Sequence, residues 1–192
     1  MKRVFVIHGW CGSPYKEWFP WIKKELEKKG FEVQIPEMPD YDNPKIEKGI
    51  PFLKKLVKNP DKDTYFIGHS IGCQTILRYL ETLPNETKVG GCAFVSGWFH
   101  LSEETMQEEG TPEVANPWIE SPINFDKILN HTTKFISIFS NDDPCVPISD
   151  SKIFKEKLNS KIIILNGRGH FNEDSNTTEI PELLKEFLKI TK

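Results

Sequence analysis

Residues 68–72 have the sequence Gly-His-Ser-Ile-Gly, a G-x-S-x-G pattern that places a serine on a sharp turn between a strand and a helix. The apolar run 64–67 precedes the pattern and a helical period over 71–83 follows it, which is the context that the motif requires. Glycine is needed at both ends because a side chain there would collide with the neighbouring strand or helix. The pattern predicts that Ser70 is a nucleophile, and the alternative is a glycine-rich turn with an incidental serine.

A serine hydroxyl needs a base to take its proton and a third group to orient that base. His170 follows the last predicted strand and precedes the last predicted helix, so it lies at the same carboxyl edge of the sheet as Ser70. We therefore predict that His170 is the base. The other four histidines are placed by sequence in other loops, in an irregular segment or at a predicted helix end: His8, His69, His100 and His131.

Two adjacent aspartates compete for the role of the orienting acid. Residues 141–147, Asn-Asp-Asp-Pro-Cys-Val-Pro, follow the predicted strand 134–139 at the same edge. We favour Asp143, because the prolines stiffen the turn that aims its carboxylate. Asp142 is the alternative, although a turn aspartate often accepts backbone N–H groups instead.

The anionic intermediate of acyl transfer requires hydrogen-bond donors. The backbone N–H of Ile71, directly after the serine, supplies the first by position. Residues 8–12, His-Gly-Trp-Cys-Gly, follow the first predicted strand, and the N–H of Trp10 is the candidate for the second, with Cys11 as the fallback. A plain glycine-rich turn is the alternative for this loop.

Aromatic side chains near these loops could line an apolar pocket for a small or medium acyl group. Ordinary core or rim packing is the alternative for each of them. The pocket candidates are His8, Trp10, Trp98, Phe99, Trp118 and Phe171.

Short β-branched runs alternate with helical periods, which is typical of βαβ units around a parallel sheet. The predicted strands are 3–7, 31–35, 64–67, 89–95, 134–139 and 161–165, and the predicted helices are 17–29, a segment opening at Asn43 and Pro44, 71–83 and 178–188. Pro51 should kink or restart the second helix. Residues 97–121 have no clear period, so we expect an excursion over the sheet or a small lid within a single domain, 1–192.

Composition restricts the class of protein. The 192 residues carry 25 Lys and Arg against 28 Asp and Glu, a net charge of −3 that is spread along the chain and argues against a nucleic-acid partner. The apolar runs are strand-sized and the first is too short for a signal peptide, so we expect a cytoplasmic protein without a membrane partner. The 4 cysteines lack zinc spacing, which indicates reduced thiols and no metal or cofactor.

Several segments resemble the small serine hydrolases similar to retinoblastoma-binding protein nine and to the bacterial YdeN-like proteins. The resemblance rests on residues 4–9, Val-Phe-Val-Ile-His-Gly, the helix 18–24 with its tryptophans, the Met-Pro step at 38–39, the turn 68–73, and the paired aspartates before 169–171. It implies a three-layer α/β/α sandwich, a minimal α/β-hydrolase fold with a six-stranded parallel sheet of order 2-1-3-4-5-6 and little or no cap. The oxyanion loop differs from that of animal relatives, and no L-x-C-x-E motif is present to carry over a retinoblastoma-protein partner.

The sequence thus predicts an enzyme that cleaves a carboxylic ester, with amide or peptide bonds as the lesser option, through an acyl-Ser70 intermediate. Its partner would be a small-molecule acyl substrate, and the oligomeric state is left open between monomer and weak dimer. A hydrolase-fold binding module with weak or no catalysis is the alternative, because a fold does not determine a function.

Overall fold

A single parallel sheet forms the centre of the computed structural model, which describes all residues from 1 to 192. Its 6 strands follow the order β2-β1-β3-β4-β5-β6, which confirms the predicted topology. All neighbouring strands pair in parallel, so their carboxyl ends meet at one edge. The strands are β1 Arg3–Ile7, β2 Glu32–Gln34, β3 Thr64–His69, β4 Gly91–Val95, β5 Phe135–Ser140 and β6 Lys161–Leu165.

Helices cover both faces of the sheet and give the predicted three layers. The helices are α1 Phe19–Glu27, α2 Ile46–Leu56, α3 Ile71–Glu81, α4 Glu103–Met106, α5 Thr111–Glu120, α6 Phe125–His131, α7 Asp150–Leu158 and α8 Pro181–Ile190. Helices α1 and α8 bury their apolar side chains in one core cluster, and α2, α3, α6 and α7 share the other. Helix α3 is buried along nearly its whole length, so the element that follows Ser70 is held firmly.

Three sequence expectations about helices need correction. Helix α2 begins at Ile46 with Lys45 as its cap, so the expected start at Asn43 and Pro44 is wrong, and it does not restart at Pro51, because Ile50 and Leu53 pack inward on both sides of the proline. The irregular segment 97–121 contains α4 and α5, and Pro112 fits because it stands in the first turn of α5. Helix α7 was not predicted, since its apolar residues are few.

The edge strand β6 is partly exposed, and its Ile164 is half exposed. All four cysteines are free thiols in the structure. None of the helices has the length and apolar character that crossing a lipid bilayer would require.

Candidate active site

Ser70 occupies a strained turn between β3 and α3. Its backbone has φ 52° and ψ −125°, in a region that non-glycine residues rarely adopt, and its N–H donates to the Val95 carbonyl at 2.9 Å. A Cβ on Gly72 would lie 2.3 Å from the Ile7 carbonyl oxygen, and one on Gly68 would lie 2.8 Å from the Cys73 nitrogen. The two glycines therefore allow the close packing of strand, turn and helix that the sequence motif predicts.

The Ser70 hydroxyl lies in a nearly closed environment, since the residue is 8% exposed. Its Oγ accepts a hydrogen bond from Trp98 Nε1 at 3.2 Å, so a buried indole contacts the predicted nucleophile directly. The loop after β1 approaches from another side, because a Cβ on Gly9 would lie 3.1 Å from Ser70 Cβ. A larger residue at position 9 would therefore crowd the serine.

Asp143 and His170 form a hydrogen-bonded pair. The His170 Nδ1 donates to the two carboxylate oxygens of Asp143 at 2.9 and 3.1 Å. The carboxylate also accepts from Ser96 Oγ at 2.8 Å and from the backbone N–H groups of Cys145 and Val146. Burial alone would raise the pKa of Asp143, but the hydrogen bonds from His170 and the other donors outweigh it and lower that pKa. Asp143 is therefore ionised at neutral pH and fixes the ring with Nε2 free.

Asp142 points to different partners. Its Oδ1 accepts from Ser140 Oγ at 2.5 Å and from the backbone N–H groups of Arg168 and Gly169 at 3.0 Å each. The hydrogen bond from Ser140 is the leading cause that lowers the pKa of Asp142. Asp142 thus supports the loop that carries His170, and it does not contact the imidazole.

Ser70 and His170 lie at the same edge of the sheet without a hydrogen bond between them. The His170 ring bonds to Asp143, and the Ser70 hydroxyl bonds to Trp98. The ring centroid of His170 is 5.1 Å from that of His69, the residue directly before the serine. In unliganded hydrolases such contacts are often long and shorten only when substrate binds.

The two predicted oxyanion donors are unengaged. The backbone N–H groups of Ile71 and Trp10 donate to no backbone carbonyl of the chain, whereas the N–H of Cys11 donates to the Tyr41 carbonyl at 2.7 Å. The Trp10 indole N–H bonds instead to the Asp42 carbonyl. Cys11 is therefore not available as the fallback donor.

The remaining histidines have structural partners. The Met38 N–H donates to His8 Nε2 at 3.0 Å and His8 Nδ1 donates to the Gly9 carbonyl, while burial lowers the pKa of His8. His100 Nδ1 bonds to Asp150, and His131 Nδ1 to the Thr87 carbonyl. His8 is thus occupied on both nitrogens, so its place among the pocket candidates is as a wall and not as a polar contact.

The aromatic pocket candidates are mostly core residues. Phe171 is fully buried in the cluster with α1 and α8, so its expected role as a pocket wall is corrected to core packing. Phe99 packs on Phe125 and Phe154. Trp98 and Trp118 are also buried, but Trp98 reaches the serine and Trp118 lines a small cavity.

Two cavities border the candidate site. One of about 20 Å³ lies between Gly9, Ile71 and Trp118, beside the first predicted oxyanion donor. A cleft of about 400 Å³ adjoins it, lined by His8, Cys11, Lys16, Glu37, Met38 and Tyr41 among others. A separate cavity of about 730 Å³ follows the edge strand β2 and contains none of the predicted site residues.

Sequence reasoning missed Ser96, the Trp98 hydrogen bond and Glu17. Ser96 directly follows β4 at the carboxyl edge, a position that could have marked it. Asp143, Cys145 and His170 also place one ligand atom each within 4.8 Å of one another, as in a metal site. Two of these three already share a hydrogen bond, so the cluster is explained without a cation.

A parallel sheet in this order, with a serine at the turn after its third strand, defines the α/β-hydrolase class. Residues 4–189 match the family described as serine hydrolase, and the chain therefore belongs to that family. It is 33% identical over 180 residues to the hydrolase YdeN of Bacillus subtilis, covering 94% of this chain and 91% of YdeN. It is 28% identical to the serine hydrolase RBBP9 of Rattus norvegicus, covering 93% and 84% of the two chains.

Solved structures agree with this assignment. The crystal structure of the B. subtilis ydeN gene product superposes with a TM-score of 0.89 at 30% identity, covering 99% of this chain and 98% of that one. A structure described among carboxylesterases of the thaumarchaeon Nitrososphaera gargenis has a TM-score of 0.73 at 18% identity, with 99% and 90% coverage, which is a likeness of fold. The resemblance inferred from the sequence is confirmed.

Proposed function

We propose that this protein hydrolyses a carboxylic ester through an acyl-Ser70 intermediate. His170 Nε2 takes the Ser70 proton as Oγ bonds to the carbonyl carbon of the ester. The resulting oxyanion accepts hydrogen bonds from the backbone N–H groups of Ile71 and Trp10. The imidazolium then protonates the leaving alkoxide, which departs as the alcohol. A water molecule then gives a proton to His170 as its oxygen attacks the acyl carbon; the bond from that carbon to Ser70 Oγ breaks, His170 returns the proton to Oγ, and the acid is released.

The observation that carries this proposal is the Asp143 and His170 pair. An ionised carboxylate at 2.9 Å from Nδ1 leaves Nε2 as the lone-pair nitrogen, as a general base requires. The pair and Ser70 come from separate loops at one sheet edge. For proton transfer, Ser70 Oγ would turn from Trp98 toward Nε2 when substrate binds.

The shape of the site favours a short acyl group. The buried Trp98 indole lies against Ser70, and the small cavity beside Ile71, about 20 Å³, has room for about one water-sized group. The adjoining cleft of about 400 Å³ is open enough for the alcohol portion. Acetyl esters should therefore react faster than octanoyl esters, and esters faster than peptides because of their better leaving groups.

Covalent labelling tests the nucleophile. A fluorophosphonate probe should modify the wild-type protein at Ser70, and S70A should lose both labelling and hydrolysis of p-nitrophenyl acetate while remaining folded. S149A is the matched control, because Ser149 is exposed and its side chain caps nothing. Well-folded wild-type protein that takes no label would favour the binding-module alternative.

The pH dependence tests the base. A histidine base must be unprotonated to accept the serine proton, so hydrolysis of p-nitrophenyl acetate should fall as the pH drops below neutrality. Full activity that stays level from about pH 5 to 8 would exclude His170 from this role.

A further inference from the structure

The segment Lys16, Glu17 and Trp18 holds the loop that carries His170. Lys16 Nζ pairs with Glu173 at 2.9 Å, and Trp18 Nε1 donates to the Phe171 carbonyl at 3.1 Å. Glu17 lies between these two contacts, with φ 58° and its side chain 11% exposed. The segment thus touches the His170 loop on both sides of Glu17.

Behind His170 stands His69, which is completely buried. His69 Nε2 lies 2.8 Å from the His170 carbonyl oxygen. A carbonyl can only accept a hydrogen bond, so Nε2 must carry the hydrogen and donate it. Burial lowers the pKa of His69 to about 3, so the ring is neutral and its Nδ1 has a lone pair in place of a hydrogen.

This lone pair faces the Glu17 carboxyl group. Glu17 Oε2 lies 3.9 Å from His69 Nδ1, and that oxygen is buried without a hydrogen-bond partner. An ionised carboxylate would set two lone-pair atoms against each other and leave Oε2 as a buried acceptor without a donor. A protonated carboxyl would present an O–H to Nδ1 and satisfy both atoms after a shift of about 1 Å to normal hydrogen-bond distance.

Burial and the groups around Glu17 together place its pKa near neutrality. Burial raises the pKa of Glu17 to about 7, and the Glu173 carboxylate raises it further, whereas His170, Lys16 and a hydrogen bond from the Glu173 backbone lower it. His69, on β3, faces it as a neutral ring. Both protonation states of Glu17 are therefore accessible in the range where a histidine base works.

We propose that Glu17 is a positioning residue that acts in its protonated form: its O–H bonds to His69 Nδ1, which keeps His69 Nε2–H on the His170 carbonyl and fixes the backbone of the base. Glu17 itself touches neither substrate nor the reacting atoms. The proposal rests on the proposed function, because it assigns to His170 the role of base.

Two substitutions separate the hydrogen bond from the charge. E17Q keeps a donor for His69 Nδ1 and cannot ionise, whereas E17A removes the donor. E27Q is the matched control, since Glu27 is an exposed carboxylate of α1 far from the His170 loop. We expect kcat for p-nitrophenyl acetate to fall about tenfold in E17A, the effect of one lost hydrogen bond, with KM nearly unchanged.

The pH profile provides a readout that a merely structural role would not change. Wild-type kcat should decline above about pH 7 as Glu17 ionises, E17Q should lose that decline, and E27Q should keep it. Identical alkaline limbs in wild type and E17Q, or an E17A with wild-type kcat, would overturn the proposal.

A second measurement is independent of activity. In protein labelled with ¹³C at glutamate carboxyl groups, the resonance absent from E17Q should titrate near pH 7, and the His69 Nε2 proton should weaken over the same range. A Glu17 carboxyl that is ionised at pH 5 would overturn the proposal even in an inactive protein. Failure of Ser70 labelling together with a titration near pH 7 would instead overturn the proposed function and leave this hydrogen bond established.

Discussion

At the scale of single residues, the adjacent acids Asp142 and Asp143 have different hydrogen-bond partners. Only Asp143 contacts His170, and it is nearly inaccessible, with its side chain 2% exposed. Asp142 holds backbone N–H groups of the next loop at the surface. The same substitution at the two positions should therefore have very different effects on catalysis.

We expect D143N to lower kcat about 10³- to 10⁴-fold, because an amide that donates to Nδ1 stabilises the wrong histidine tautomer. D142N should lower kcat by no more than about tenfold, through a loosened loop. Steady-state kinetics on p-nitrophenyl acetate, with circular dichroism to check folding, measure both. Equal losses in the two variants would mean that Asp143 does not orient the base.

The sequence suggests candidate site residues where the proposed chemistry depends on position along the chain. Ser70 could be predicted because its turn needs glycines, and His170 because it follows a strand end. The hydrogen bond from Trp98 to Ser70 and the role proposed for Glu17 could not be predicted, since one depends on a side-chain direction and the other on burial that arises only in the folded protein. Phe171 was misassigned because an apolar residue beside a catalytic loop packs inward as readily as toward substrate.

At the scale of elements, there is no room for a larger side chain at Gly72 in the first turn of α3, whereas there is room at Gly49 in α2. A Cβ on Gly72 would meet the Ile7 carbonyl oxygen at 2.3 Å, but one on Gly49 finds its nearest neighbour at 3.6 Å. Both glycines are buried in helices, so they form a matched pair for the same substitution.

We expect G72A to destabilise the protein by about 2–4 kcal/mol and to abolish hydrolysis, since strand and helix must separate to admit the methyl group. G49A should instead stabilise it by about 0.5–1 kcal/mol, the usual gain of alanine over glycine inside a helix. Urea denaturation measures both free energies of unfolding. A G72A variant with wild-type stability would show that the turn is not packed as described.

Elements with strong periodicity were predictable and weakly patterned ones were not. Strands β1 and β6 have the predicted bounds, because their apolar runs are interrupted cleanly at both ends. Helix α7 has only Ile153, Phe154 and Leu158 as apolar residues, which is too few to indicate a helix. Helix α5 carries two prolines, so its stability depends on packing that the sequence does not reveal.

At the scale of the whole molecule, the free energy of unfolding should depend on the protonation of Glu17. Its pKa is raised from 4.5 to about 7 on folding, so its contribution is fully present below about pH 4.5 and is lost as the pH rises to about 7. The loss amounts to as much as about 3 kcal/mol. A carboxylate with a lowered pKa, such as Asp143, has the opposite effect, because its contribution to the free energy of unfolding is lost as the pH falls.

We expect E17Q to be more stable than the wild type at pH 8, by about 1–3 kcal/mol, and to match it at pH 4.5, because the amide cannot ionise. Urea denaturation of both proteins across this range isolates the Glu17 contribution, since all other groups are shared. A difference in stability that is the same at both ends of the range would contradict the raised pKa.

The order of the strands across the sheet came from family resemblance, and the alternation of strands and helices established only a parallel α/β architecture. Local patterns do not state which strands become neighbours, because that choice depends on crossovers between distant segments. The family match explains why the resemblance succeeded over nearly the full chain.

One buried cation limits how this molecule can move. Arg78 of α3 donates to the carbonyls of Trp118 and Ser121 at 2.8 and 2.9 Å and to Gln74 Oε1, while Gln74 Nε2 holds the Trp98 carbonyl. These hydrogen bonds attach both ends of the segment 98–121 to helix α3, which follows Ser70. We therefore expect this segment to move little during turnover, and substrate to enter through the cleft that Cys11 and Tyr41 line.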